Sequence, residues 1–321
     1  KTMKVLKFGG SSLATVARFS DVANIVKRSA DTESLILVLS APHGVTNTLV
    51  NLVAQAQSGQ NYQADLDSLR THFYRLVKDA QSKLLTESFE SLISFTDQHL
   101  EFLSQYLQGI HLLSYCPDSI QAKILGAGEQ FSVQLMSALL ASLQTKVQIL
   151  DSVQYVKSQG DYLNAVADIP ATQAAFAQVD FAKLNQVWVM AGFVSSLASG
   201  ELALLGRNGS DYSAAIIAAG VQASACEIWT DVDGVYSADP RQVKQAKLIS
   251  QLSYAEAMEL SYFGAKVLHP KTIGPLAMAK IPCTIKNTLN PDAPGSCIGI
   301  ESDSELVKGI SSLEHLALIT V

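Results

Sequence analysis

None of the four cysteines, Cys116, Cys226, Cys283 and Cys297, belongs to a CxxC pair, and their wide spacing signals neither a zinc site nor a disulfide framework. They read as separate small thiols in the core or at the surface. The six histidines form no HExxH and no pair four residues apart, so the usual zinc-hydrolase pattern is missing. Neither GxxxxGK followed by Ser or Thr nor GxGxxG occurs, which excludes a P-loop and a dinucleotide fingerprint. Basic residues are outnumbered, 23 Lys and Arg against 29 Asp and Glu, for a formal charge of -6. A nucleic-acid partner or an anionic membrane surface calls for the opposite balance, so an anionic ligand must be held locally. No apolar run approaches the roughly 18 to 20 residues of a membrane span, and KTMKVLKFGG lacks a cationic stretch followed by an apolar signal core. A cytoplasmic protein is expected. Without a secretion signal, the sequon Asn208-Gly209-Ser210 reads as a chance match.

The 321 residues are 48% hydrophobic and 16% charged, enough to bury a sizeable core in one large domain or two lobes. Short β-rich runs alternate with helical patterns. KVLKF, SLILVLSA, KVQIL, QVWVMAGF, ELALLG, CEIWTDV and IPCTIKN read as strands, several of them apolar throughout, as in a sheet covered on both faces. Helices are expected over 47–57, twice across 65–108, and over 119–143, 212–219, 255–262 and 273–279. The alternation predicts an α/β fold, a three-layer αβα sandwich with a mostly parallel central sheet. The strand-free stretch 65–108 reads as a helical insertion in the first half. PDAPGSCIGIESDSE is turn-rich and reads as the end of the compact domain, with a further β-like run in VKGISSLEHLALITV.

Four segments carry candidate chemistry. KFGGSS follows the first strand and precedes a helical pattern, so the amides of Gly9 and Gly10 can approach a phosphate closely. The same glycine pair also fits a simple turn. In LLGRNGSDYSAA, Ser210 or Asp211 can cap the helix from Tyr212, while the planar fork of Arg207 matches a carboxylate. A plain cap with a surface arginine fits those residues equally well. WTDVDGVYSADPR leaves a strand with Tyr236 placed to lie against a purine and Arg241 to reach a phosphate. FGAKVLHP sets Lys266 near a helix boundary at Pro270, with His269 as a local hydrogen-bonding residue rather than a base. All four sit on strand-end loops, where open α/β sheets bind their ligands.

KFGGSS, SAPHGVTN, GAGEQFS, LLGRNGSDYSAA, WTDVDGVYSADPR and FGAKVLHP, in this order, resemble the motif series of the aspartate kinases, within the amino acid kinase superfamily. CPDSI, ELSYFGAKVLHP and IPCTIKNT make the chain most similar to the aspartokinase part of threonine-sensitive bifunctional aspartokinase/homoserine dehydrogenases. The resemblance implies an amino acid kinase fold over residues 1–300, with a substrate lobe to roughly 200 and a nucleotide lobe from roughly 201. Residues 301–321 would be a linker and the first strand of a regulatory ACT domain. The implied reaction moves the γ-phosphoryl of MgATP to the side-chain carboxylate of L-aspartate, giving 4-phospho-L-aspartate for lysine, threonine and methionine biosynthesis. A carboxylate is already ionised at neutral pH and needs no general base, so positioning and positive charge carry the catalysis.

By the same resemblance, Lys7 contacts the transferred phosphoryl, Gly9 and Gly10 donate amides, and Asp211 holds the lysines in place. Thr46, Glu129, Arg207 and Ser210 match aspartate positions, with Glu129 at the ammonium and Arg207 at the α-carboxylate. Ser40, Thr230, Asp231, Tyr236, Arg241, Lys266 and Val267 match nucleotide positions. Mg²⁺ would be carried by phosphate oxygens and water. The implied partners are L-aspartate, ATP and, in the full-length protein, further copies of the chain. Two other readings compete: a sister kinase acting on glutamate or N-acetylglutamate, and a nicotinamide-dependent dehydrogenase, against which the missing GxGxxG counts.

Overall fold

The computed structural model describes residues 3–181, 186–262, 268–299 and 309. In chain order the strands are β1 (Met3–Phe8), β2 (Ser34–Leu39), β3 (Lys146–Ile149), β4 (Ser158–Gln159), β5 (Val166–Ala167), β6 (Gln186–Ala191), β7 (Val194–Ser196), β8 (Leu202–Leu204), β9 (Ala225–Thr230), β10 (Gln251–Ser253), β11 (Cys283–Asn287) and β12 (Ser296–Gly299). The α-helices are α1 (Val16–Ala30), α2 (Val45–Gln57), α3 (Gln63–Ala80), α4 (Thr86–Leu113), α5 (Asp118–Leu125), α6 (Ala127–Ser142), α7 (Ser152–Tyr155), α8 (Ile169–Phe176), α9 (Gly209–Val221), α10 (Tyr254–Tyr262) and α11 (Pro270–Ala279).

Eight strands form one sheet in the order β10, β12, β11, β9, β1, β2, β6, β3. Only β11 and β12 pair antiparallel, so β12 and β10 run against the other six. The central strands are apolar on both faces because helices cover both. Alternation sorts their side chains: Leu6, Phe8, Leu35, Leu37, Leu39, Val187 and Val189 join the core under α1, α2, α3, α4 and α6. Val5, Ile36, Val38, Trp188, Met190, Cys226 and Ile228 join the core under α9 and α11. Each large side chain sealed this way contributes about 1.5–3 kcal/mol. The expected three-layer α/β architecture with a mostly parallel sheet is therefore what forms.

The expected insertion is present as the successive helices α3 and α4, which pack on α2 and α6. Phe73 of α3 stacks on Phe131 of α6 with ring centroids 4.1 Å apart, which ties the insertion to the main core. Among the described residues no helix is long and apolar enough to cross a membrane.

Several expectations need correction. The helix expected over 119–143 is two, because Gly126 ends α5 and begins α6. ELALLG supplies β8, which leaves the main sheet and pairs antiparallel with β7. SCIG forms a strand, β12, joined to β11 by the loop 288–295, in which Gly295 takes a φ of 78°. The short helix α8 hides in an alanine-rich stretch with Pro170 in its first turn, and Asp168 caps it by accepting from the Ala171 amide at 2.9 Å. Residues 301–321, expected to hold a linker and an ACT strand, lie outside the described residues except for Gly309.

The first turn of α6 presses hard on the loop after β2. A Cβ on Gly128 would stand 2.6 Å from the Ala41 Cβ and 2.9 Å from the Val45 Cγ1. Gly128→Ala should therefore destabilise the fold by about 1–3 kcal/mol through overpacking. Urea denaturation would show this as a lower midpoint at unchanged slope, and an unchanged midpoint would contradict the packing described.

Candidate functional site

Six parallel strands bring their carboxyl ends to one edge, and the loops leaving β1, β2 and β6 meet there. Along β1, residues 3, 5 and 7 face the α9 side, so Lys7 is the last side chain of that row and points at the start of α9. There it meets Asp211, with Nζ 2.5 Å from Oδ1 and side-chain exposures of 9% and 18%. A cation this desolvated needs a counter-charge, and Asp211 supplies it. The expected cap is thus corrected. α9 starts at Gly209, its cap position is Asn208 at φ 58°, and no side chain caps it. Asp211 lies in the first turn and is turned to Lys7 instead.

A cavity of about 610 Å³ opens beside this pair. Lys7, Gly10, Ser40, Thr46, Glu129, Arg207, Ser210 and Asp211 all line it, which unites eight of the residues expected at the site. Ser40 continues the inward row of β2, and its amide donates to the Phe8 carbonyl at 3.1 Å. Thr46 lies in the first turn of α2, and Glu129 in the first turn of α6. Gly10 opens a 3-10 turn, Gly10–Leu13, where a Cβ would stand 3.0 Å from the Ala41 carbonyl oxygen, so a larger residue would press the two loops apart by a few tenths of an ångström. Gly9 departs from expectation. Its amide donates to the Trp229 carbonyl at 3.3 Å, extending the β1–β9 ladder one residue, and it is not presented to a ligand.

The charged groups differ in environment. Arg207 is exposed at the cavity and makes no ion pair with the described residues. Glu129 is buried, and its Oε2 has no hydrogen-bond partner among them. Desolvation pushes its carboxyl up to about 8, against the opposing pull of the amides of Glu129 and Ala41 and of the Lys7 ammonium. A buried carboxyl with an unused oxygen beside an open cavity is a receptor for a cation, and an ammonium group would satisfy it.

The nucleotide residues are placed less completely. Thr230 ends β9 beside the β1 turn, and its hydroxyl donates to Asp231 at 3.2 Å. Tyr236 and Arg241 lie on the following loop and do not line the cavity. The guanidinium of Arg241 is forked onto Asp239, with Nε to Oδ1 at 3.0 Å and Nη2 to Oδ2 at 2.7 Å. That carboxylate, two residues away, offers the two-point partner the fork matches, so the expected phosphate contact is not what this geometry displays. Lys266 and Val267 lie outside the described residues. His269 caps α11, its Nδ1 accepting from the Lys271 amide at 3.1 Å, as a local role requires.

Sequence reasoning misses several lining residues. Phe193 follows a recognised strand, but its φ of 66° and its place in the wall carry no sequence signal. Leu163 comes from the loop between β4 and β5, where composition marks nothing. His43 is visible in SAPHG, and it lines the cavity.

With this sheet, the site defines the class: an α/β protein with a mostly parallel sheet and a cavity of charged side chains at its strand ends, where such sheets bind ligands. The chain belongs to the amino acid kinase family, which matches residues 2–287. It is 43% identical over 321 residues to a bifunctional aspartokinase/homoserine dehydrogenase of Haemophilus influenzae, covering 99% of this chain and 39% of that protein. To the lysine-sensitive aspartokinase 3 of Escherichia coli it is 31% identical, covering 99% of this chain and 69% of the other. The crystal structure of E. coli aspartokinase III in complex with aspartate and ADP matches with a TM-score of 0.84 at 30% identity, over 94% of this chain and 65% of that one. The chain thus spans about two fifths of the length of the bifunctional relative.

The protonation state of Glu129 can be tested directly. Below a pKa of about 8 its carboxyl is protonated in the free site, so an ammonium ligand must displace that proton. Affinity for an α-amino acid should rise as pH is raised from about 6 to about 8, by up to about tenfold per unit, and then level off. Calorimetry in buffers of different ionisation enthalpy would register the released proton. Glu129→Gln should abolish both the slope and the proton, and a pH-independent wild-type affinity would refute the assignment.

Proposed function

We propose that this chain is the catalytic part of an aspartate kinase, transferring the γ-phosphoryl group of ATP to the side-chain carboxylate of L-aspartate. The products are 4-phospho-L-aspartate and ADP. One observation carries the reading: a single cavity presents a buried carboxyl with one oxygen unpartnered and a guanidinium without an ion pair, both among the described residues, beside a buried lysine. Those are the complements of an α-ammonium, an α-carboxylate and a phosphoryl group. The aspartate and ADP held by the solved relative have the same chemistry.

In this reading Glu129 receives the substrate ammonium and Arg207 its α-carboxylate, with Thr46 and Ser210 completing the pocket. The side-chain carboxylate is then directed at the β1 end, where Lys7 stands. That carboxylate oxygen forms the new bond to phosphorus as the bond to the ADP oxygen breaks, and no proton has to be removed from the nucleophile. Two anions must approach each other, and Lys7 lowers that barrier by holding positive charge over the transferring group. Asp211 fixes the ammonium of Lys7 in place. Ser40, Thr230, Asp231, Tyr236, Arg241, Lys266 and Val267 would surround the nucleotide, with Arg241 released from Asp239. Residues to about 200 would act as the substrate lobe and residues from about 201 as the nucleotide lobe, over one continuous sheet.

Among the described residues no three His, Cys, Asp or Glu side chains stand close enough to form a metal cage. Mg²⁺ would be carried by the phosphates of the nucleotide and water, and would supply positive charge there. A reducing, cytoplasmic setting belongs to the same reading, since all four cysteines are free thiols.

N-acetylglutamate suits this site poorly, because its acylated nitrogen has no charge to offer Glu129. A coupled ADP-release assay across L-aspartate, L-glutamate and N-acetylglutamate should show turnover with aspartate. Lys7→Ala should lower kcat by about 10²–10³-fold, the scale of removing an electrostatic donor. Arg207→Ala should raise KM for aspartate by about 10–100-fold, as for removal of a charged hydrogen bond, with KM for ATP nearly unchanged. Turnover of either other acid in preference to aspartate would overturn the proposal.

A further inference from the structure

The short turn 287–290, which leaves β11, contains none of the residues assigned above, yet it is bonded to three segments of the nucleotide side. The hydroxyl of Thr288 is 2.7 Å from that of Ser12, in the 3-10 turn after β1, and both residues are buried. The Thr288 amide donates to the carbonyl of Thr230, at the end of β9, at 2.9 Å. Asn287 and Asn290 each donate a side-chain N–H to Oδ1 of Asp233, at 2.8 Å and 3.3 Å. Tyr236, three residues further on, has its phenol pKa raised by burial and by the nearby Asp233 carboxylate. Asn287 is itself held, since its Oδ1 accepts from the Leu289 amide at 2.9 Å.

We propose that the 287–290 turn is the positioning element for the nucleotide, setting the phosphate turn through Thr288 and the Tyr236 loop through Asn287, Asn290 and Asp233. The inference rests on the kinase reading, because it takes the β1 turn and the loop after β9 to be the nucleotide's seat. Thr288 spans the distance between those two segments by using both its side chain and its backbone. Asn287 suits its place because an amide can accept from Leu289 and donate to Asp233 at once, which neither aspartate nor leucine can do. Asp233 collects two donors from the turn, so its carboxylate stays fixed and holds the loop that carries Tyr236. None of these residues needs to touch the ligand, so their effect should fall on the nucleotide and spare the amino acid.

The test exploits a polarity exchange. Asn287→Asp keeps the acceptor for the Leu289 amide but sets a carboxylate against Asp233, which should push the loop away. Combining it with Asp233→Asn restores a donor–acceptor pair of reversed direction and leaves an oxygen for Asn290. ADP affinity, measured by calorimetry on the whole chain, should fall about tenfold or more in Asn287→Asp and return to within about threefold of wild type in the double variant, the scale of removing and then restoring one charge-assisted hydrogen bond. KM for ATP should follow the same pattern while KM for aspartate stays constant. Thr288→Val should weaken ADP binding and Thr288→Ser should retain it, which covers the case in which Asn287→Asp fails to fold. An unchanged ADP affinity in Asn287→Asp and Thr288→Val, an equal rise in both KM values, or no recovery in the exchange variant would overturn the inference. If the wild-type chain bound no ADP at all, the kinase reading itself would fall, a result distinct from these.

Discussion

The ion pair between Lys7 and Asp211 is the constraint from which the rest of the site follows. A lysine at the end of a central strand is almost fully desolvated, and a buried cation without a partner would be strongly destabilising. The partner fixes the first turn of α9 against the end of β1. Since α9 is entered from Arg207 and Asn208, that pairing also sets the position of Arg207 at the cavity. Period-two alternation determines which face Lys7 takes, and the parallel pairing of β1 with both β2 and β9 keeps its neighbours in register. A shift of one residue along β1 would turn Lys7 into the opposite core and present Leu6 to α9.

On the proposed reading, a molecule of net negative charge must draw two anions together. Its own field is unfavourable to them, so the attraction must come from groups shielded from solvent, where screening is weak. Lys7 is such a group. Glu129, the carboxyl nearest in role, is held largely neutral at physiological pH by burial and so does not oppose an incoming carboxylate until an ammonium arrives to ionise it. Substrate charge and site charge are thus matched in sequence rather than fixed in advance.

Much of this is legible in the residues, for physical reasons that also mark where legibility stops. β1, β2, β6, β9 and β11 are readable because each is a short apolar run bounded by turn residues. The place of β8 is not, since Leu202–Leu204 looks like any buried strand and only its pairing with β7 removes it from the sheet. Gly126 reads as a tolerable glycine inside a long helical pattern, although the chain changes direction there. At the site, Arg207 is readable from its own chemistry, a two-point donor set among glycines, whereas Lys7 and Glu129 are readable only through the resemblance to the aspartate kinases. From spacing alone Asp211 reads as a possible cap, because sequence shows its distance from a helix start; only the resemblance sets it against the lysine it faces. Gly9 is expected to donate to a ligand, but a strand ladder claims its amide first. Leu163 and Phe193 carry no signal, as their roles arise from where the chain passes and not from what they are.

The two ends of the site are built from different chemistry. On the proposed reading, the amino-acid end uses two ionisable groups, the buried carboxyl of Glu129 and the exposed guanidinium of Arg207, whose partners are supplied by the ligand. Such groups discriminate sharply, because a ligand lacking the complementary charge leaves them unpaired in a poor solvent. The proposed nucleotide end is instead closed on itself: hydroxyls, amides, the Arg241 guanidinium and the carboxylates of Asp231, Asp233 and Asp239 satisfy one another before any ligand enters. A preformed network of that kind lowers the ordering cost of binding a large, flexible, highly charged molecule. The division follows from what each ligand brings. A small amino acid must be recognised by a few strong contacts, whereas a nucleotide offers enough contacts that its seat needs chiefly to be held still.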